Sequence, residues 1–244
     1  MVSPFGLGTV KFGRNTGLKY PNDFELPTDG QLEQLLSCAR ELGINFLDTA
    51  PAYGTSEVRL GNLLKNSRND WVISTKVGEI FDNGLSTYDF SSKATATSIE
   101  NSLRSLQTEY LDLVLVHCNK QDVDNLLRTD VVSTLRRYQE KGYVRLIGAS
   151  TNTVEGGLLA LDMLDTAMIT YNQNETEQQT VIKKAEELHK GVLLKKVLAS
   201  GHAADVSRSL KFALASSAVT SAIVGTINPD HLSANVSAML KALE

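Results

Sequence analysis

Short apolar runs alternate along this chain with longer segments in which apolar positions recur every three or four residues. The runs predict strands at 5–10, 45–48, 71–76, 111–117, 144–149, 167–171, 191–198 and 221–225. The helical spacing is plainest in Leu32, Leu35, Leu36, Ala39 and Leu42. It predicts helices at 29–42, 56–65, 92–106, 123–140, 154–163, 176–189 and 206–216, and a last one from 229 to the C-terminus. Strand and helix in strict alternation are the pattern of βα units around a parallel sheet. Eight such units in 244 residues match the size of a (β/α)₈ barrel. The expected fold class is therefore α/β, a TIM barrel, with residues 1–244 forming one domain. All five prolines avoid helix interiors, and Asn228-Pro229 reads as an N-cap followed by a first helical residue.

Polar residues stand where several of these runs stop. The run at 44–47 ends at Asp48, the run at 71–75 ends at Lys76, and the run at 111–116 ends at His117. Tyr53 follows Asp48 by five positions. In a parallel α/β barrel the C-terminal ends of the strands share one face, so residues far apart in sequence meet there. The four types make a proton-donating set. A cation beside a phenol favours the phenolate, so Lys76 is expected to lower the pKa of Tyr53 and make it a general acid. Asp48 would hold the ammonium, and His117 would orient a substrate oxygen or relay a proton. Taken singly, each residue has an ordinary reading: a turn or cap for Asp48, a solvated strand end for Lys76, a core-edge histidine for His117, and a packed loop aromatic for Tyr53.

A formal net charge of -4 without basic runs gives no nucleic-acid footprint. No stretch is long and apolar enough to span a membrane, and the N-terminus does not read as a signal peptide, so a cytoplasmic protein is expected. Cys38 and Cys118 offer neither metal-ligand spacing nor a disulfide framework, and no metal is expected. The segment 78–91 is the longest loop, and with Phe81, Tyr88 and Phe90 it is the candidate wall or lid of a substrate pocket.

Over essentially its whole length the chain resembles the aldo-keto reductase superfamily. The resemblance rests on Gly6-Leu7-Gly8-Thr9, on Asn45-Phe46-Leu47-Asp48-Thr49-Ala50 through Tyr53-Gly54 and Glu57, on Ser74-Thr75-Lys76, and on Leu111 through His117. It implies that Asp48, Tyr53, Lys76 and His117 are a catalytic tetrad for hydride transfer between a nicotinamide cofactor and a carbonyl, without the Gly-x-Gly-x-x-Gly fingerprint. It also implies cofactor contacts at Gly8, Thr9, Asp48, Ser150, Thr151 and Gln173. Further contacts would lie at Lys195, Lys196, Leu198, Ser200 and Gly201, and at Gly225, Thr226, Asn228, His231 and Asn235. Thr151 stands where Asn is commoner, and Lys195 stands where many members stack an aromatic ring. His231 stands where NADPH-specific members place an arginine, and the expected cofactor is NADP(H), with NAD(H) possible. A pocket of Val10, Tyr53, Phe81, His117 and Cys118 would receive a small-molecule carbonyl substrate in a protein expected to be monomeric. Two other readings stand beside this one: a nicotinamide-binding regulatory module with negligible turnover, and a barrel lyase or isomerase using Lys76 as a Schiff-base amine.

Overall fold

A computed structural model describes residues 1–18, 20, 21 and 23–243. Eight parallel strands close a barrel in sequence order: β1 (Phe5–Gly8), β2 (Phe46–Asp48), β3 (Val72–Val77), β4 (Leu111–His117), β5 (Val144–Ser150), β6 (Thr166–Thr170), β7 (Val192–Lys195) and β8 (Val219–Gly225), with β8 pairing back to β1. The register levels the strand ends. Gly8 pairs with Asp48 and with Gly225, Asp48 with Ser74, His117 with Ser150, and Thr170 with Lys195.

Strand alternation then decides which side chains face inward. Phe46, Leu113, Leu115, Met168, Leu193 and Ile223 form the inner core of the barrel. Moving two residues up the same columns replaces apolar side chains by polar ones: Phe46 leads to Asp48, Leu115 to His117, and Leu193 to Lys195. Gly6, where a Cβ would strike Ile223 and Phe46, lets these large side chains fill the centre. The alternate residues, such as Leu47, Ile73, Val114, Val116 and Leu194, pack outward against the helices. The helix Asp29–Glu41 shows how the sequence sets that layer. Thr28 and Gln31 form a reciprocal capping box at its start, and Leu32, Leu35, Leu36 and Ala39 are buried on one face.

Every predicted strand is present, with three departures nearby. Strand β1 stops at Gly8, and Val10–Gly13 turns into one short helix, so Val10 is not a strand residue. The helix expected at 123–140 is two, Asp122–Leu127 and Val131–Glu140, because Thr129 turns its hydroxyl onto the Asn125 carbonyl and ends the first. The segment expected as a loop at 78–91 contains a two-stranded antiparallel hairpin, Glu79–Asp82 with Leu85–Tyr88. Asn83 and Gly84 both take positive φ at its tip, an Asn-Gly signal for a tight hairpin turn that the sequence carried openly. The last helix is Pro229–Leu243, and Glu244 lies outside the described residues. No helix among the described residues is long and apolar enough to cross a membrane.

Candidate active site at the barrel mouth

A cavity of about 770 Å³ opens over the C-terminal ends of the strands. Asp48, Tyr53, His117 and Cys118 are in its wall, and Lys76 lies directly beneath. Lys76 Nζ donates to Asp48 Oδ1 at 2.7 Å and to the Thr49 carbonyl at 2.8 Å, both fully within the protein. Ser74 adds a hydrogen bond to the same Asp48 oxygen. The ammonium sits over the Tyr53 ring, 4.7 Å from its centroid, and the Tyr53 and His117 rings meet edge to face at 6.3 Å.

Tyr53 is held by backbone rather than by its own strand. It lies in the short 3₁₀ turn Pro51–Tyr53, followed by Gly54 at φ +63. A Cβ at Gly54 would strike the Gly13 carbonyl oxygen, so glycine is needed there twice over. Beneath the turn, the buried hydroxyls of Thr9, Thr49 and Ser56 interlock, and Thr9 donates to the Asp48 carbonyl. Thr9 thus ties β1 to β2 as well as reaching the cavity wall.

Electrostatics correct one expectation. Lys76 does lower the Tyr53 phenol, but burial outweighs it and the group is pushed up to about 12. Burial alone would lower the Lys76 ammonium, but Asp48, followed by Tyr53, outweighs it and the net direction is up. His117 is lowered, chiefly by burial, so the imidazole is neutral at neutral pH. Its Nδ1 lies 2.8 Å from Glu79 Oε2, a close but bent contact. Glu79 is held at about 2: burial works against this, and His117, Ser86 and Arg14 together overcome it. Burial also pushes the Cys118 thiol well up, which leaves it a packing group.

The aldo/keto reductase family model matches residues 4–201. The chain belongs to that family. It is similar to a Pseudomonas aeruginosa protein described as an aldo-keto reductase, with 47% identity and a TM-score of 0.93 over 100% of this chain and 91% of that one. Among curated relatives it is 34% identical to D-arabinose 1-dehydrogenase of Saccharomyces cerevisiae over 61% of this chain and 45% of that protein. It is 28% identical to the NADH-specific methylglyoxal reductase of Escherichia coli, over 61% of this chain and 48% of that protein. The match spans less than half the length of these curated relatives. An aldo-keto reductase of Bacillus halodurans in its holo form shares the fold, at 23% identity and a TM-score of 0.81.

Aldo/keto reductases generally use nicotinamide cofactors, and much of the expected contact set lines the cavity. Gly8, Thr9, Lys195, Lys196, Leu198 and Ser200 do so, as do Gly201, Gly225, Thr226, His231 and Asn235. The fit to an elongated, phosphate-bearing ligand is physical: Lys11, Lys196 and His231 bring basic groups to walls whose Gly201 and Gly225 carry no side chain. Five of the expected cofactor and substrate contacts lie outside the cavity wall. Thr151 is fully buried, because the alternation that turns Ser150 inward turns its successor away. Ser150 is itself covered and accepts a hydrogen bond from Lys195 Nζ at 2.9 Å. Gln173 is exposed in the turn beyond β6. Asn228 caps the last helix, its Oδ1 accepting from the Asp230 and His231 backbone N–H groups. Phe81 lies two residues farther along the hairpin than Glu79 and packs under the Arg14 guanidinium, 3.3 Å from its ring centroid.

Other residues take their places. Tyr88, cross-strand partner of Glu79, supplies the hairpin's contribution to the wall. Asn152 joins it, with its side-chain N–H groups donated to the Cys118 and Asn119 carbonyls. Tyr20 and Pro21 cross between the two glycine loops: a Cβ on Gly225 would meet the Tyr20 hydroxyl, and one on Gly201 would meet Pro21. Lys11 Nζ lies over the Tyr20 ring, 3.8 Å from its centroid. Nothing in the residue pattern announced the segment carrying Tyr20. Its only signal is that a polar stretch after β1 holds Tyr20 and Phe24 amid glycines and prolines.

Proposed function

We propose that this chain reduces aldehyde or ketone carbonyls to alcohols with a nicotinamide cofactor, with Tyr53 as the general acid. The observation that carries the reading is the convergence of Asp48, Tyr53, Lys76 and His117 at one point of the barrel mouth, from positions up to 69 residues apart. When bound, a reduced nicotinamide supplies the hydride to the carbonyl carbon. Tyr53 O–H then gives its proton to the carbonyl oxygen. A phenol raised to about 12 is fully protonated at neutral pH, so the donor is loaded. The alkoxide formed by hydride addition is a far stronger base than a phenolate, so the transfer runs downhill. Lys76, held protonated by Asp48, balances the charge left on the Tyr53 oxygen. His117, neutral and with its Nδ1–H turned to Glu79, keeps its other ring nitrogen as an acceptor for the hydroxyl of the alcohol that forms.

NADPH is the proposed cofactor, on the support of Lys196 and His231 in the cavity wall; NADH is the second choice. The proposed working unit is a monomer, with residues 1–244 as one domain. A Schiff-base role for Lys76 fits poorly, since an ammonium clamped by a carboxylate is no nucleophile. The test is to titrate the protein with NADPH and with NADH by cofactor fluorescence, and then to follow NADPH absorbance with aromatic and aliphatic aldehydes. The expected result is tighter NADPH binding and aldehyde-dependent oxidation. Binding without turnover of any carbonyl would instead support the regulatory module.

A further inference from the structure

Just beyond Lys76, the same stretch of chain sends a carboxylate back over the site. Strand β3 ends at Val77, and Gly78 at φ +108 turns the chain out of the barrel into the hairpin; a Cβ there would strike Phe90. Glu79 is thereby held against the end of β4, with Oε2 2.8 Å from His117 Nδ1 and its side chain 10% exposed. Its other oxygen faces donors. Oε1 accepts from the Ser86 hydroxyl at 2.6 Å, and Arg14 Nη1 lies 3.9 Å away. Arg14 is itself fixed, since it donates to the Thr16, Gly17 and Ala52 carbonyls and sits over the Phe81 ring. Ala52 belongs to the 3₁₀ turn that carries Tyr53, so one brace joins the turn of the phenol to the imidazole.

The brace decides which ring nitrogen carries the proton. His117 is neutral at neutral pH, so its ring has one N–H and one lone pair. Glu79, held at about 2, is ionised. A lone pair facing that carboxylate at 2.8 Å would be repelled, whereas an N–H is attracted, so the proton belongs on Nδ1. The approach is bent, yet among the described residues no other partner engages Nδ1. The other charges acting on the ring are the Lys76 and Lys195 ammoniums, which accept nothing; the Tyr53 ring meets it edge to face, and Asp48 is held by Lys76. His117 lines the cavity, and the nitrogen it keeps for a ligand is the bare Nε2.

That polarity bears on what the site holds. A carbonyl oxygen has only lone pairs and gains nothing from an acceptor, while an alcohol hydroxyl can donate to it. We infer that Glu79 is a positioning residue that fixes His117 as the Nδ1–H tautomer, so that the site holds the alcohol partner of the reaction more tightly than the carbonyl. The tautomer stands on its own geometry, and the alcohol preference rests on the reductase reading above. Tight alcohol binding lowers KM in the oxidising direction and makes the alcohol an effective product inhibitor in the reducing one.

The test is Glu79→Gln, an isosteric change. Ser86 and Arg14 draw the new amide oxygen to their side, which leaves the amide N–H groups facing Nδ1 and moves the ring proton to Nε2. Proton–nitrogen correlation NMR of histidine-labelled protein reads the tautomer directly, with the His117 signal identified by its loss in His117→Gln. Wild type is expected to carry the proton on Nδ1 and Glu79→Gln on Nε2. In parallel, benzyl alcohol is titrated calorimetrically into NADPH-loaded protein and benzaldehyde into NADP⁺-loaded protein, pairs between which no hydride can pass. The ratio of alcohol to aldehyde affinity is expected to fall roughly three- to tenfold in Glu79→Gln, the range of one neutral hydrogen bond. A wild-type proton on Nε2, or a tautomer that Glu79→Gln does not move, overturns the positioning role. A tautomer that moves while the ratio stays constant, or wild type that binds no benzyl alcohol, overturns the alcohol preference. A tautomer that moves in a protein reducing no aldehyde upholds the role of Glu79 and defeats the reductase reading.

Discussion

Two lysines, one buried and one half-buried, face each other across the barrel mouth, and their surroundings differ in kind. Lys76 on β3 has a carboxylate at 2.7 Å, a backbone carbonyl at 2.8 Å and 2% exposure. Lys195 on β7 has one hydroxyl and an opening to the cavity. The same residue type is pushed up on one side and down to about 8 on the other. The lesson is that a charge satisfied from within belongs to the protein's own machinery, whereas a charge left with a weak partner at a cavity wall is shaped for something that arrives.

The largest expected effect comes from replacing each lysine in turn. Lys76→Met strands Asp48 in the interior and is expected to destabilise the fold by roughly 3–5 kcal/mol. Lys195→Met removes an uncompensated charge and is expected to leave stability unchanged or improved. Urea unfolding of both variants checks this, and equal losses would erase the distinction.

Alkaline titration sharpens the same contrast. Lys76 is raised in the folded state, so its contribution is present below the ordinary lysine value and is lost as pH climbs through the raised one. Lys195 is lowered, so the unfolded chain binds more protons between about 8 and 10.5, and its contribution grows as pH rises through that window. The stability of wild type relative to Lys195→Met should therefore rise between those pH values, and a flat difference would contradict the uncompensated charge.

How far these features were legible in the sequence depends on the physics behind each. Asp48, Lys76 and His117 could be read because each ends an apolar run, and a parallel barrel turns run ends into one face. The inward column that joins Leu193 to Lys195 could be read in the same way. That no carboxylate among the described residues pairs with Lys195 could not, because it depends on Asp122 being engaged by Asn152 and Thr153 on a neighbouring loop. Phe81 was misplaced because its run was read as a loop, although Asn83-Gly84 marked a hairpin that moves Tyr88 to the cavity and Phe81 away. The Tyr53 pKa was misjudged because burial, which a sequence does not display, outweighs a neighbouring charge.

A smaller effect is expected on the Lys76 side of the mouth. Glu79→Gln removes the carboxylate that raises His117, so the imidazole should titrate lower still, as NMR of the histidine ring protons would show. Catalytic loss should be modest beside that of the tetrad, because His117 is already neutral. An unchanged value would mean that Glu79 does not face the ring in solution.

The most direct test of the account is single-turnover reduction of 4-carboxybenzaldehyde by wild type and Tyr53→Phe, each saturated with NADPH. The account predicts that Tyr53→Phe binds NADPH as wild type does but transfers hydride about 10²- to 10⁴-fold more slowly, the range for losing a general acid. Equal rates would contradict it.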